Sequence, residues 1–428
     1  LASFSTKSGG ITGIFIRSLS YAEVSYNKEL VEHSRLPMDF ILYAVPFFFL
    51  LILIELAYGK LKGTDYYRVN DALTSLATGS INQLVGLSKA LISFTVYIAI
   101  YQYFAIFDLG DSALIWVIAF IAYDFCYYWN HRFGHEMNLL WAAHVIHHSS
   151  EEYNLTTALR QTGTSFLSYI FYIPLALIGF DPLMIISVGA LNLIYQFWVH
   201  TRHVGKLGWY ELFFVTPSNH RGHHAQNTVY IDRNYGGVFI IWDRLFGCYQ
   251  EELDDDKPIF GIRGAVKSWN PIVINFQVYR QLFEDALHTK NWWHKLTLWF
   301  RKTGWRPPDV IDAYPIFKSD DLSNFKKYDT AVPTVLKAHC IIQYVSTASI
   351  ALGLSLSFGS LSLLEHMAIV SFAILSSFSI GALMENQHYS GVLEWSRLTI
   401  LIIAATVFPM AQALSIFLIV CNFVCMPL

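Results

Sequence analysis

The sequence predicts an all-α protein: a multi-spanning membrane helical bundle with a histidine-rich di-metal site at the cytoplasmic ends of its helices. Three observations carry that prediction. The 428-residue chain is 54% hydrophobic and only 14% charged, where about 25% charged is usual for soluble domains. Its apolar residues fall in runs of about twenty, the length a helix needs to cross a bilayer. Half of its 16 histidines lie in three short groups of helical spacing. These are HxxxH (His131, His135), HxxHH (His144, His147, His148) and a second HxxHH (His220, His223, His224).

Residues 1–37 are mixed and polar, without the apolar core of a signal peptide, and are expected to be a loosely ordered lead-in with one interfacial helix. The first residue is Leu1, so the natural N-terminus is expected to lie upstream. Residues 38–58 form the first apolar span, with Glu55 expected at its interface beside Lys60. Residues 59–80 read as a polar connector containing DALTS (Asp71 to Ser75). Lys60, Lys62 and Arg68 place that connector on the cytoplasmic side by the positive-inside rule. Residues 84–107 form a second apolar segment, DLGDS a turn, and residues 113–130 a third helix leading into WNHRFGH.

Asp124 and Tyr127 sit seven and four residues before His131, on its helical face. A carboxylate there can take the ring's other N–H and fix its tautomer, so Asp124 is a candidate catalytic-site residue. Glu136 follows His135 directly and points away from the ligand face. After the first clusters, Arg160 and Gln161 are candidate site-lining residues, and the sequon at Asn154 is expected to be unused. Residues 166–200 are apolar but broken at Gly179-Phe-Asp181-Pro182, which reads as a hairpin that enters the membrane and returns. It delivers His200 to the side where His148 left, as a ninth candidate ligand; His203 is read as solvated.

Residues 201–337 are the main polar region. The HRGHH helix opens it, followed by loops in which Asp232, Asn234, Asp243 and Arg244 are candidate hydrogen-bonding support. Residues 338–358, 361–384 and 399–424 are three further apolar segments, with Pro409 a candidate kink. The division expected is a lead-in (1–37), a catalytic unit (38–250), a polar cytoplasmic loop region (251–337) and C-terminal apolar helices (338–428). Five cysteines without a CxxC pair argue for free thiols, and the C-terminal Cys425-Met-Pro-Leu lacks the basic run that a prenylation site carries. A net charge of −3 argues against a nucleic-acid partner.

Imidazole suits iron, zinc, copper and nickel. Eight or nine nitrogens exceed one ion's needs and match two ions with open positions: His131, His135, His144, His147, His148, His200, His220, His223 and His224. Neutral nitrogen donors at a membrane surface suit activation of O2 at iron and attack on an unactivated C–H bond of an alkyl chain lying in the bilayer. Apolar surroundings would exclude water from the reactive site.

The histidine series resembles the membrane fatty-acid hydroxylase superfamily of di-iron oxygenases, which includes sterol desaturases. DALTS, the run from Tyr123 to Thr162, LIYQFWVHT, TPSNHRGHH and NYGGVFIIWDRLFG are similar to the alkylglycerol monooxygenases in particular, most strongly over residues 71–250. That resemblance implies two iron ions on the eight histidines of the three motifs and tetrahydrobiopterin as co-substrate, with Glu136 at the pterin. It implies hydroxylation of the ether-linked carbon of an alkylglycerol or its lyso-phospholipid by O2. The resulting hemiacetal falls apart to fatty aldehyde and glycerol. It also implies an endoplasmic reticulum membrane. The alternatives are a sterol or fatty-acyl hydroxylase or desaturase fed by cytochrome b5, and a histidine-rich metal transporter. Transporters place ligands near mid-membrane on broken helices, whereas these clusters lie at helix ends in polar sequence.

Overall fold

A computed structural model describes residues 35–318, 321–356 and 362–407. Residues 1–34 of the expected lead-in, Pro409, Cys421 and Cys425 lie outside the described residues, and Arg35 to Pro37 open the first helix. Among the described residues there is no strand, and two isolated antiparallel bridges, Phe214 to Phe239 and Ala225 to Phe260, are the only extended pairings. The rest is helix and loop.

Helix α1 (Arg35–Lys62) ends on Lys60 and Lys62, where cations complement the helix dipole. Helix α2 (Val69–Phe104) is longer than its apolar run. The DALTS stretch, expected as connector, is its first two turns. The polar side chains there find partners far along the chain: Asp71 accepts from Arg160 Nη2 at 2.8 Å and from Ser150 Oγ at 2.6 Å. Tertiary pairing of this kind overrides a polar reading of the local sequence. Glu55, expected at the interface, is buried. It accepts from Tyr67, from Thr201 and from the Leu155 backbone at 2.8 Å.

Helix α3 (Ala113–Glu136) starts on the Ser112 cap and runs unbroken through WNHRFGH. Helix α4 (Asn138–His148) follows after one residue, Met137. A single-turn α5 (Leu155–Ala158) is capped by Asn154, which is buried. The broken apolar stretch is a 3-10 turn (Ser168–Tyr172), α6 (Ile173–Ile178) and α7 (Pro182–Trp198). Gly179 makes the break with φ +114°, and a Cβ there would sit 1.9 Å from the Phe107 carbonyl oxygen. Asp181 then caps α7 through Leu183 N, with Pro182 at the first helical position.

Helix α8 (Pro217–His223) carries HRGHH, and Asn219 Oδ1 accepts from Thr216 N at 3.1 Å to start it. The polar region adds α9 (Ile241–Leu245), α10 (Pro271–His288), α11 (Trp292–Thr297) and α12 (Pro308–Ile311). The C-terminal group is α13 (Thr334–Leu356), α14 (Leu363–Met384) and α15 (Ser390–Val407). α15 begins nine residues before the expected segment.

Among the described residues, three helical segments are long and apolar enough to cross a membrane: Ala44–Lys62, Ala113–Glu136 and Leu364–Met384. Shorter apolar helices are Ile92–Phe104, Ser168–Ile178 and Pro182–Trp198. One buried carboxylate closes the polar end. Glu152 receives Arg68 Nε at 2.6 Å, Arg202 Nη2 at 2.6 Å and Lys327 Nζ at 2.7 Å. It thereby ties the α1–α2 connector, the segment after α7 and the segment before α13 over the histidines.

Candidate metal centre and its cavity

Helix α3 presents His131 and His135, α4 presents His144, His147 and His148, and α8 with its cap presents His220, His223 and His224. His200 stands two residues past the end of α7. The structure brings all nine together in two groups. His131, His135, His144, His148 and His223 form one; His147, His200, His220 and His224 form the other; within each, the ligand atoms lie within 4.8 Å of one another. Each HxxHH motif is therefore split. Residues four apart stay close in angle on a helix, whereas adjacent residues diverge by about 100°, so His147 and His148 serve different groups. Helical spacing within a motif does not by itself reveal this split.

Backbone carbonyls fix the ring tautomers. His131 Nδ1 meets the Tyr235 carbonyl at 2.7 Å, His147 Nδ1 that of Arg160 at 3.1 Å, His200 Nδ1 that of Gln196 at 2.8 Å and His223 Nδ1 that of Arg233 at 2.8 Å. A carbonyl oxygen only accepts, so each Nδ1 carries the proton and each Nε2 carries a lone pair. Yet His147 Nε2 and His200 Nε2 lie 3.2 Å apart, and His223 Nε2 is buried with no partner. Two lone pairs at that separation repel unless a cation sits between them. Nitrogen ligands at about 2.0–2.1 Å from a metal and at right angles to each other would be roughly 3.0 Å apart. The Nε2 pairs His131–His144 (3.0 Å), His135–His148 (3.1 Å), His220–His200 (3.0 Å) and His224–His220 (3.1 Å) have that spacing. The donor set fits two first-row metal ions, one with five imidazoles and one with four.

Burial, reinforced by neighbouring imidazoles, holds His144, His148, His220 and His224 well below the ordinary histidine range. Burial likewise brings His147 down to about 4. Neutral rings are the ligating form.

The other expected site residues take different places. Asp124 does not touch His131, whose Nδ1 proton is already taken by the Tyr235 carbonyl. It is fully buried and accepts from Val238 N (2.8 Å), Phe239 N (3.1 Å), Trp242 Nε1 (2.9 Å) and Asn192 Nδ2 (2.6 Å). It clamps α3 to α7 and to the loop after α8. Gly237 lets that loop approach: a Cβ there would lie 2.7 Å from the Tyr127 ring and 2.9 Å from Asp124 Oδ1. Glu136 accepts from Arg132 Nε at 3.0 Å and from the Tyr235 hydroxyl at 3.2 Å through one oxygen. Its side chain is 35% exposed.

Arg160 pairs with Asp71 instead of lining the site. Asp232 holds φ +59° with Oδ1 3.9 Å from His135 Nδ1. Asn234 bonds the Asn219 and Gln250 carbonyls. Asp243 accepts from Tyr235 N (2.7 Å) and Gly236 N (2.8 Å), which sets the Tyr235 carbonyl on His131. Arg244 donates to the Glu211 carbonyl, away from the histidines. His203 packs against Tyr58 and Tyr66.

A cavity of about 970 Å³ opens beside the histidines, and His131, His144, His147 and His200 form part of its wall. Gln161 and Tyr127 line it, as does Asn130, which the sequence reading passed over. Its place beside His131 in WNHR was the available signal. Tyr235 was also missed, because a backbone carbonyl leaves no mark on the sequence. The apolar part of the rest of the wall comes mainly from α1, α4, α7 and α13, and α2 adds Ser80, Asn82 and Gln83 beside Leu76. Glu136, Asp232 and Tyr235 are not in it.

The fatty acid hydroxylase family model matches residues 116–248, the stretch that holds all nine histidines. An alkylglycerol monooxygenase of Danio rerio is 37% identical over 369 residues, covering 84% of this chain and 81% of the relative. Those of Homo sapiens and Xenopus tropicalis are 36% and 30% identical, each covering 84% of this chain and 81% and 80% of the relative. No solved structure matches. With that identity extending well beyond the histidine motifs into both flanks, the chain belongs to the alkylglycerol monooxygenase family.

Proposed function

We propose that this protein is a di-iron monooxygenase that uses tetrahydrobiopterin and O2 to cleave the ether bond of alkylglycerols or their lyso-phospholipids. One observation carries the reading. Two groups of imidazoles, with lone pairs turned inward by carbonyl-held tautomers, border a cavity near the upper end of the 300–1,000 Å³ usual for ligand sites (about 970 Å³). When bound, the iron pair supplies activation of O2 and the pterin supplies two electrons, so that one oxygen atom enters the ether carbon and the other leaves as water. The nine histidines named above would hold the metals.

The chain's own contribution is position. The apolar wall draws an alkyl chain from the bilayer and keeps water from the ether carbon. Polar groups of the wall, Asn130 and Gln161 among them, suit the glycerol hydroxyls; Asn130 makes no side-chain hydrogen bond within the described protein. Glu136 takes the pterin. One of its oxygens is held by Arg132 and Tyr235, which leaves the other to accept N–H groups from the pterin's aminopyrimidine edge. Asp124 acts as a positioning residue through the loop that carries Tyr235. The same reading places the helices as a multi-spanning bundle in the endoplasmic reticulum membrane, with the histidines at its cytoplasmic side.

The test is one purified sample of the full chain in lipid nanodiscs, assayed for iron and for fatty aldehyde. About two irons per chain and pterin-dependent aldehyde release from an alkylglycerol support the reading. Turnover driven by cytochrome b5 with no pterin requirement would replace it with the hydroxylase or desaturase alternative.

A further inference from the structure

The histidine chemistry lies within residues 116–248, but the cavity wall does not. Helix α13, which begins 86 residues beyond the end of the family match, contributes a stripe of Tyr344, Val345, Ala348, Ser349 and Leu352 to it. These positions recur at helical spacing along one face. Across the cavity, α1 contributes Val45, Pro46, Phe48 and Phe49, with Phe48 stacked on Phe197 of α7 at 4.0 Å. Polar lining groups come from Asn130, from the segment Gln161 to Ser168, and from Ser80, Asn82 and Gln83 of α2. An ether lipid with its reacting carbon at the histidines therefore has these polar groups for its headgroup and the apolar side chains of α1 and α13 for its chain.

A wall can measure length only if it does not yield. Helix α13 is fixed along its inner side. The Tyr344 hydroxyl lies 3.3 Å from Ser80 Oγ of α2. Cys340 and Tyr344 belong to a buried apolar cluster with Leu73 and Ala77 of α2 and Ile380 and Leu383 of α14. One turn and more before the stripe, a buried carboxylate bolts the helix to its neighbours. Glu394 of α15 accepts from His339 Nε2 at 3.0 Å and Gln343 Nε2 at 2.8 Å on α13, from Ser379 Oγ at 2.9 Å on α14, and from Arg397 Nε at 3.1 Å on α15 itself. Loss of one partner would leave a buried charge uncompensated, so the arrangement holds α13 in one register against α14 and α15.

We infer that α13 is the wall that sets the alkyl-chain length this enzyme accepts, and that Ala348, the smallest side chain of the stripe, is the position at which length is read. The inference rests on the ether-lipid reading above and deepens it. A larger side chain at Ala348 fills the space between α1 and α13 and shortens the longest chain that can place its ether carbon at the histidines; Gly at the same position lengthens it.

The experiment measures kcat/KM of the full chain in nanodiscs for glycerols carrying decyl, hexadecyl and eicosyl ethers. Ala348→Phe should lower the hexadecyl-to-decyl ratio by about tenfold or more, in line with the discrimination a few methylenes give in an apolar pocket. Ala348→Gly should raise the eicosyl-to-hexadecyl ratio. Ile341→Phe, on the exposed side of the same helix and outside the cavity wall, should leave both ratios at wild type. Should Ala348→Phe fail to fold, Ala348→Leu gives the same comparison with a smaller step. Equal loss for all three chains in the Ala348 variants, or unchanged ratios, would overturn the inference. Absence of aldehyde from every substrate in the wild-type protein would instead sink the ether-lipid reading itself.

Discussion

The histidine shell has two unlike sides. One faces the cavity and is built from long helices with apolar walls. The other faces a loop, residues 224–240, whose shape depends on backbone groups. There His131 and His223 are held by the Tyr235 and Arg233 carbonyls, Asp232 and Asn234 adopt positive φ, and Asp243 and Asn234 bond the backbone that sets them. Glu136, Arg132 and Asp232 gather on that side with Tyr235 between them and the rings. Under the proposed function, the difference separates two tasks. A lipid needs a dry, rigid slot continuous with the bilayer, and a water-soluble reductant needs a polar approach. The rings stand between the two, within reach of both.

The largest expected effect comes from removing the shell. His147→Ala takes away a cavity-side ligand whose proton is fixed by Arg160, and turnover should fall by more than the 10–100-fold that loss of a supporting residue costs. Iron should fall from about two toward one per chain while the protein remains in the membrane. Half the wild-type activity in this variant would break the assignment of the four-histidine group. Next comes the loop side. Glu136→Ala should raise the pterin KM about tenfold, the value of one charge-assisted hydrogen bond of roughly 1.5 kcal/mol, and leave the lipid KM near wild type. An equal rise in both would mean that the two sides are not separate.

How much of this was legible in the sequence follows the same division. The helical side could be read, because spacing on a helix fixes direction. His131 with His135 and the two HxxHH runs came from helical spacing, the break at Gly179 from its Gly and Pro, and His200 from its place at the end of an apolar run. Partition of the histidines into five and four could not, since it depends on which neighbouring helix each ring meets. Asp71 and Glu55 misled for a related reason: a polar residue near an apolar run reads as connector or interface until its distant partners, up to 146 residues away, are known. Asp124 was recognised as important but given the wrong neighbour, since the ring proton it was expected to take belongs to a carbonyl. Carbonyls are the same at every position, so nothing in the letters points to Tyr235 or Arg233.

Tyr235 therefore offers a finer test of the comparison. Tyr235→Phe removes the hydroxyl that holds one Glu136 oxygen but keeps the carbonyl on His131. A rise of a few-fold in the pterin KM with unchanged iron content is expected, since a neutral hydrogen bond is worth about 1 kcal/mol. Loss of iron in this variant would show that the ring, and not the backbone, supports the metal side.

The smallest effect on turnover should come from Asp243, and it concerns pH. Burial raises its carboxyl from the ordinary 3.8 to about 6, against the lowering effect of Cys248 and the Tyr235 and Gly236 N–H groups. A raised carboxyl binds its proton more tightly in the folded protein than in the unfolded chain. Its protonated form therefore favours folding at low pH. That contribution declines as pH climbs from about 4 to about 6, and above 6 it stays at its lower level. Asp243→Asn removes this slope, so the difference in thermal midpoint between variant and wild type should change between pH 4 and 6 and be constant from pH 6.5 to 8. Because the Asn side chain keeps an acceptor for one of the two N–H groups, Tyr235 on Oδ1 or Gly236 on Oδ2, activity at pH 7.5 should fall by no more than about threefold, less than 1 kcal/mol. A difference that keeps changing above pH 6.5 would mean that Asp243 is not the titrating group, and a collapse of activity would mean that the loop needs both oxygens to keep the Tyr235 carbonyl on His131.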